Sequence, residues 1–375
     1  IYTDTDFKGW SLKSRKPAQE HQIRLALATL QCENPADWET MLNKTISKAQ
    51  TDKKAKQKTR QWWNSYWKRS YIFIDSGKIG SDYWKVGRNY QLFRYMLGCN
   101  AYGSEPTKFN GGLFTFDPVH VDSTRVFTPD FRLWGGGTMT AQNQRLVYFP
   151  MLKSGDFDMM KPQFDFYERM LGNAKLRTKV YWNHEGACFS EQIENFGLPN
   201  LAEYDWKPRH EGFPVGVDSN PWLEYTWDTA LEFALMMFDA HLYNNEPIVP
   251  HLPFIESLLT FFDEHYSYLA LRRGTNKLDG DGHLVLYPGS ACETYKMATN
   301  ATSTVAALKV ITEKLLELPE LDAAQREHWS GFLKRIPPIS HREVQGKKTI
   351  SPAKMWERIN NSEVPSLYPV YPLSL

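Results

Sequence analysis

A carboxylic acid that follows a short apolar run and a Pro-Gly-Ser turn can act as a proton donor if its surroundings keep it protonated near neutral pH. Glu293, in LVLYPGSACET (residues 284–294), is such a group. Desolvation at a loop-to-helix position inside an aromatic-lined cavity would raise its pKa. The same stretch, Ser290-Ala291-Cys292-Glu293, also reads as a capping box, in which the glutamate bonds the cap amide and feels the helix dipole. A cap would lower the pKa, so the two readings differ in sign. A second dense stretch is WGGGTMTAQNQRLVYFPMLKSGD (residues 134–156). Gln142, Asn143 and Gln144 both donate and accept hydrogen bonds, and Arg145 adds a fixed fork of donors. The block reads either as a surface for hydroxyl groups or as a solvated first turn of a helix.

Further candidates lie downstream. His184 and Glu191, in WNHEGACFSEQ (residues 182–192), sit in a polar loop rich in aromatic residues, which suits ring stacking beside hydroxyl recognition. The plainer alternative is an ordinary loop with a buried, hydrogen-bonded histidine. In WLEYTWDTALEFALMMFDAHLY (residues 222–243), Glu232 and Asp239 are seven apart and share one helix face. An acidic pair on an otherwise apolar helix needs partners, from substrate or from a neighbouring helix. Their separation along the axis is about 10.5 Å. At that distance the two do not act on one bond as a catalytic couple, and they are read as substrate-facing. Trp134 and Trp227 join the set as rigid aromatic faces that suit sugar rings.

The rest of the chain must position these groups. Its 375 residues carry 44 Lys and Arg against 43 Asp and Glu, so no global field attracts nucleic acid or an anionic membrane. The basic run TDKKAKQKTR (51–60) reads as a solvated helix face. Aromatic residues make up 14%, with 13 tryptophans, which suits sugar rings as well as cores. Cys32, Cys99, Cys188 and Cys292 show no paired spacing, so neither a metal site nor a cofactor is expected. No apolar stretch approaches the roughly 20 residues of a membrane span, and no membrane insertion is expected. No signal peptide precedes Ile1, which is not a start methionine, so the chain is expected to be processed or part of something longer. Export therefore stays open, and a secreted or periplasmic bacterial location is the expectation. Apolar positions at helical spacing predict helices over 18–31, 37–68, 85–103, 159–176, 222–244, 251–271 and 292–317. Long loops fall at 104–137 and 181–220. This is an all-α pattern of paired helices around a centre, with a lead-in over 1–60 and one domain over 61–375.

RNYQLFRYMLGCNAYGSEPTKFNGGLF (88–114), TMTAQNQRLVYFP (138–150), LVLYPGSACET and SEVPSLYPVYP (362–372) keep an order and spacing that resemble glycoside hydrolase family 95 α-L-fucosidases. GDFDMMKP (155–162), NHEGACFSEQ (183–192) and the stretch 337–353 resemble a related bacterial group more closely. The resemblance implies an (α/α)6 six-hairpin barrel that cleaves a terminal glycosidic bond of an oligosaccharide or polysaccharide with inversion. The ring is expected to be incomplete, with companion β-sandwich domains outside this chain. Asn143 matches the second of two asparagines that position the attacking water. The first falls on Ala141, which leaves Gln142, Gln144 and Arg145 as the nearest substitutes and counts against fucose itself as the sugar. A gapless match puts Glu293 on the catalytic acid. The carboxylate that supports the asparagines is expected to lie beyond Leu375 or to be replaced; within this chain its best candidate is Glu363, which otherwise reads as a surface glutamate in a turn. A carbohydrate-binding pseudoenzyme, a lyase and a phosphorylase are the alternatives.

Overall fold

The computed structural model describes residues 11–74 (12, 22, 24 and 31 apart), 78–107, 124, 139–199 and 211–375. The chain forms two compact units, one from Ile1–Gln91 with Pro118–Pro129, the other from Leu92–Asp117 with Asp130–Leu375.

In the first unit, α1 (Pro35–Thr51) begins at Asn34, whose side chain accepts from the Asp37 amide at 3.1 Å. In α2 (Ala55–Arg69), Trp62 stacks on Tyr66, one turn on, with ring centres 5.1 Å apart. Helix α3 (Asp82–Cys99) runs across the division between the units. The stretch 18–31, expected to be helical, forms no helix among its described residues. Its Leu25 and Leu27 are 83% and 90% exposed. Helices draw most of their stability from packing an apolar face, and this stripe stays in water.

The second unit holds α4 (Ala141–Ser154), α5 (Lys161–Arg169), α6 (Leu171–Trp182), α7 (Thr229–Asn244), α8 (Leu252–Arg272), α9 (Thr302–Glu317) and α10 (Ala323–Arg335). Helix α7 is apolar nearly all round and packs against α4, α8 and α9. Consecutive helices pair, α7 with α8 and α9 with α10, and α6 packs on α8. The all-α expectation is met, with helices building the core. No described helix is long and apolar enough to cross a membrane.

Strands are short and do positional work. β1 (Met139–Thr140) pairs antiparallel with β2 (Gln192–Ile193), which ties the start of α4 to the loop that carries Glu191. The Ala141 amide adds a 2.8 Å bond to the Glu191 carbonyl. β3 (Gly289–Ala291) and β4 (Tyr295–Ala298) form a hairpin where the helix over 292–317 was expected to begin, and that helix starts at Thr302. Ser290 is therefore a strand residue whose hydroxyl donates to the Glu224 carbonyl at 2.6 Å, and the capping-box reading of Glu293 is corrected. Glu293 lies at a hairpin turn, not at a helix start. β5 (His341–Val344) and β6 (Lys347–Ile350) make a second hairpin, closed by Gln345-Gly346 with both residues at positive φ. β7 (Arg358–Ile359) adds to the free edge of β4.

Two constraints hold α4 and the Glu191 loop. Gly155 caps α4 in the left-handed region, and the next residue, Asp156, receives both bonds of a buried ion pair from Arg94 at 2.9 and 2.7 Å. Gly186 has φ +94°, and a Cβ there would meet the Phe261 amide nitrogen at 2.2 Å. Only glycine lets the loop lie against α8. Arg94→Met strands the Asp156 carboxylate out of water and should cost about 3–5 kcal/mol in urea unfolding. Arg94→Met combined with Asp156→Leu should recover most of that loss, because the uncompensated charge is gone.

Candidate active site

Five segments of the second unit bring carboxylates and cations together. The first turns of α4 present Gln142 and Arg145, which lie three apart on one face. Arg145 Nη1 donates to Glu232 Oε1 at 2.7 Å and also to the Tyr368 hydroxyl. Its Nη2 lies 3.9 Å from Glu363 Oε1. Gln142 Nε2 donates to the same Glu363 oxygen, while Glu363 Oε2 accepts from the Glu293 backbone amide at 2.9 Å. Glu293 Oε2 in turn accepts from Asn361 Nδ2 at 2.9 Å. The stretch from Asn361 to Tyr368 therefore straps the β3–β4 turn to α4.

Lys296, on β4, is wholly buried. Its Nζ donates to the Trp222 carbonyl (2.7 Å), to Thr226 Oγ1 (3.0 Å) and to Ser290 Oγ (3.1 Å). Glu191 is wholly buried as well, and neither of its carboxyl oxygens has a hydrogen-bond partner among the described residues. Just before α7, Asp228 accepts from Ser303 and Thr304 in the first turn of α9, at 2.9 and 2.7 Å.

Burial dominates the electrostatics. It raises Glu293 above the ordinary glutamate range, and the neighbouring Glu363 charge adds to the rise against the opposing Lys296 and Asn361. It raises Glu191 much further, helped by Glu293 and only partly offset by Lys296. Burial brings Lys296 down to about 8, although Glu191 and Glu293 favour its charged form. Glu232 is also raised by burial, despite Arg145. For Arg145 burial opposes the charge, but Glu232 and Tyr368 outweigh it and hold the guanidinium protonated more firmly than usual. A cap would have lowered Glu293; its surroundings do the reverse, as acid catalysis requires. A hollow of about 10 Å³, room for about one water, lies between Gln142, Asp228, Glu232, Cys292 and Tyr368.

Of the residues singled out in the sequence, Glu293, Glu363, Glu191, Gln142, Arg145 and Glu232 come together. Asn143 is about 100° round α4 from Gln142. It is partly buried, on a different face of the helix from the Gln142–Arg145 pair that holds Glu363. Gln144 is buried beneath the site and accepts from the Tyr167 hydroxyl at 3.0 Å. Three further expectations are corrected. His184 is paired with His265 (Nε2 to Nδ1, 2.9 Å), and burial pushes both below the usual histidine range. Trp227 packs in the same aromatic core, its ring centre 4.9 Å from His265 and 5.3 Å from Phe261. Asp239, two turns beyond Glu232, faces Lys314 of α9 at 3.7 Å. Trp134 lies outside the described residues.

Sequence reading missed Lys296, Tyr368, Asp228 and Asn361. A lysine between Tyr295 and Met297 in a short apolar run was the available signal, since a strand turns alternate residues to opposite faces. For metals, Asp279, Asp281 and His283 bring ligand atoms within 4.8 Å of one another, away from the glutamates in sequence. That turn satisfies itself, because Asp279 Oδ1 accepts from the amides of Asp281 and His283.

Residues 1–72 match the model of a family described as "Domain of unknown function (DUF5703)". No curated protein matches the sequence. Among solved structures, one described as "Putative kojibiose phosphorylase from human microbiome" is similar, at a TM-score of 0.49 and 14% identity over 81% of this chain. The chain spans 37% of that structure's length.

Glu191→Gln should report the burial of Glu191 directly. The raised native pKa means that the unfolded chain ionises first as pH climbs past the ordinary glutamate value, so the wild type loses stability from there up to the native pKa. Urea unfolding across this range should find the variant equal to wild type in acid and more stable than it at neutral pH.

Proposed function

We propose that this chain carries the acid–base centre of an inverting glycosidase. The observation that carries the reading is the convergence of Glu293, its pKa raised by burial, with Glu363, whose oxygens accept from Gln142 and from the Glu293 amide. Glycoside hydrolysis needs such a pair, one carboxyl that gives a proton and one that takes it.

In this scheme Glu293 protonates the departing glycosidic oxygen as the bond to the anomeric carbon breaks. Glu363 takes a proton from a water that attacks that carbon from the opposite face, so configuration inverts. Arg145 and Gln142 fix Glu363, and Lys296 balances the negative charge left on Glu293 after proton transfer. A net charge of only +1 on the chain gives no general pull on anions and favours a neutral glycan as substrate, an oligosaccharide or polysaccharide cut at its end.

A panel of aryl glycosides and oligosaccharides, followed by proton NMR, tests this. The expected product is a free sugar of inverted anomeric configuration. Glu293→Gln should lower kcat by roughly 10²–10⁴-fold on unactivated substrates, and far less on aryl glycosides whose leaving group needs no proton. Glu363→Gln should lower kcat on both kinds while leaving binding nearly intact. Product that forms only with inorganic phosphate present, as a sugar 1-phosphate, would replace hydrolysis by phosphorolysis. Unsaturated products would mark a lyase, and binding without turnover across the panel would mark a carbohydrate-binding protein.

As the free Glu293 acid ionises, kcat/KM should fall with rising pH, with a midpoint above the usual glutamate range. Glu363→Gln removes one of the charges that raise Glu293 and should move any residual alkaline limb to lower pH.

A further inference from the structure

The second unit contains a cavity far larger than the hollow among the glutamates. It measures about 580 Å³, within the range of ligand sites, and shares no lining residue with the glutamate cluster. Aromatic and thioether surface dominates its walls, from Trp356, Tyr287, Met297 and Met355. Polar groups enter from Asn276 and Thr299, and charge from Arg273, Asp279 and Glu357.

The charged groups are largely engaged within the wall itself. Tyr287 donates its hydroxyl to Glu357 Oε1 at 3.0 Å. Arg273 Nη1 donates to the Tyr287 carbonyl at 2.5 Å, with its guanidinium over the Tyr287 ring at 5.5 Å. Asp279 Oδ1 is taken by two backbone amides of its own turn. What this leaves for a ligand is aromatic surface beside neutral or internally compensated polar groups, which is the chemistry of a neutral sugar ring: apolar faces against aromatic rings, hydroxyls toward amide, hydroxyl and carboxylate. The lining itself carries two carboxylates, Asp279 and Glu357, against the one guanidinium of Arg273, while the Arg342 guanidinium lies 6.0 Å from the Trp356 ring centre.

The wall is shared with the candidate active site through the backbone. On β4, Lys296 turns into the glutamate cluster, and its neighbour Met297 lines the cavity. The Glu357 amide, from the cavity side, donates to the Lys296 carbonyl at 3.1 Å. Trp356 is steadied from behind by Tyr295, ring centres 5.0 Å apart.

We infer that this cavity is a second carbohydrate site, one that binds a neutral mono- or disaccharide unit against Trp356 and Tyr287 apart from the acid–base centre. It would hold a second part of a branched or extended glycan, or a free sugar. The inference stands on the cavity's own lining and does not require that Glu293 be an acid catalyst.

Isothermal titration calorimetry of the whole chain with maltose, cellobiose, lactose and glucose, and with glucuronate as an anionic control, tests it. At least one neutral sugar should bind. Trp356→Ala should weaken that binding about tenfold or more. Met355→Arg, at a position 66% exposed on the cavity wall, should block it without disturbing the core. Glu293→Gln should leave it unchanged, which separates this site from the catalytic reading. Three results would overturn the inference: no neutral sugar binds, glucuronate binds in preference, or binding persists at full strength in both Trp356→Ala and Met355→Arg.

Discussion

Four glutamates, Glu191, Glu232, Glu293 and Glu363, are gathered around two cations, Arg145 and Lys296, in a region from which water is largely withdrawn. Charges cannot be removed from water at that ratio without a change of protonation, because an uncompensated buried carboxylate costs several kcal/mol. The imbalance shifts Glu191, Glu232 and Glu293 towards their neutral forms, each raised first of all by burial. Glu232 has Arg145 at 2.7 Å, and Glu363 has Gln142 and a backbone amide. Glu191 has no hydrogen bond of its own among the described residues, and Glu293 has one from Asn361. Burial pushes the ionisation of Glu191 furthest up and raises Glu293 as well, and Glu293 stands at a turn where it remains partly open.

The fold maintains this arrangement by fixing backbone first. β1 and β2 lock the start of α4 to the carbonyl of Glu191, and the β3–β4 hairpin sets Glu293 and Lys296 three residues apart on a turn and its outgoing strand. Helix α7 supplies a wall apolar enough that Asp228 and Glu232 need the hydroxyls of Ser303 and Thr304 and the guanidinium of Arg145. The Asn361–Tyr368 stretch closes the site last, from far along the chain. Its glutamate and tyrosine touch α4 across more than two hundred residues of sequence separation.

Much of the helical scaffold was legible in the sequence. α1, α2, α3 and α8 lie where apolar spacing put them, because each is a long amphipathic run with clear ends. The failures have physical reasons. A helical stripe at 18–31 finds no burial among the described residues, and a stretch that satisfies a capping box folds as a hairpin because Ser290 is drawn instead to a distant carbonyl and to Lys296. In the site, Glu293 and Arg145 were visible because their neighbourhoods are chemically unusual at short range. Glu363 came from resemblance, and its contacts with Gln142 and the Glu293 amide are long-range. Lys296 was missed because a lysine between Tyr295 and Met297 hints only at a two-faced strand, and its role depends on the distant carbonyls and carboxylates around it. His184, Trp227 and Asp239 failed in the opposite way: their types suit a sugar site, but an aromatic core and a lysine on α9 already claim them.

The central claim is that the Glu293 carboxyl ionises above the ordinary glutamate range because burial and the Glu363 charge oppose its ionisation. Carbon-13 NMR of side-chain-labelled glutamate, with Glu293 assigned by its loss in Glu293→Gln, measures this directly across a pH titration. The account predicts that the Glu293 carboxyl titrates above the ordinary glutamate range and that Glu363→Gln shifts its midpoint downward. A Glu293 that titrates at or below that range in the folded wild type, or one that is indifferent to the loss of Glu363, would contradict it.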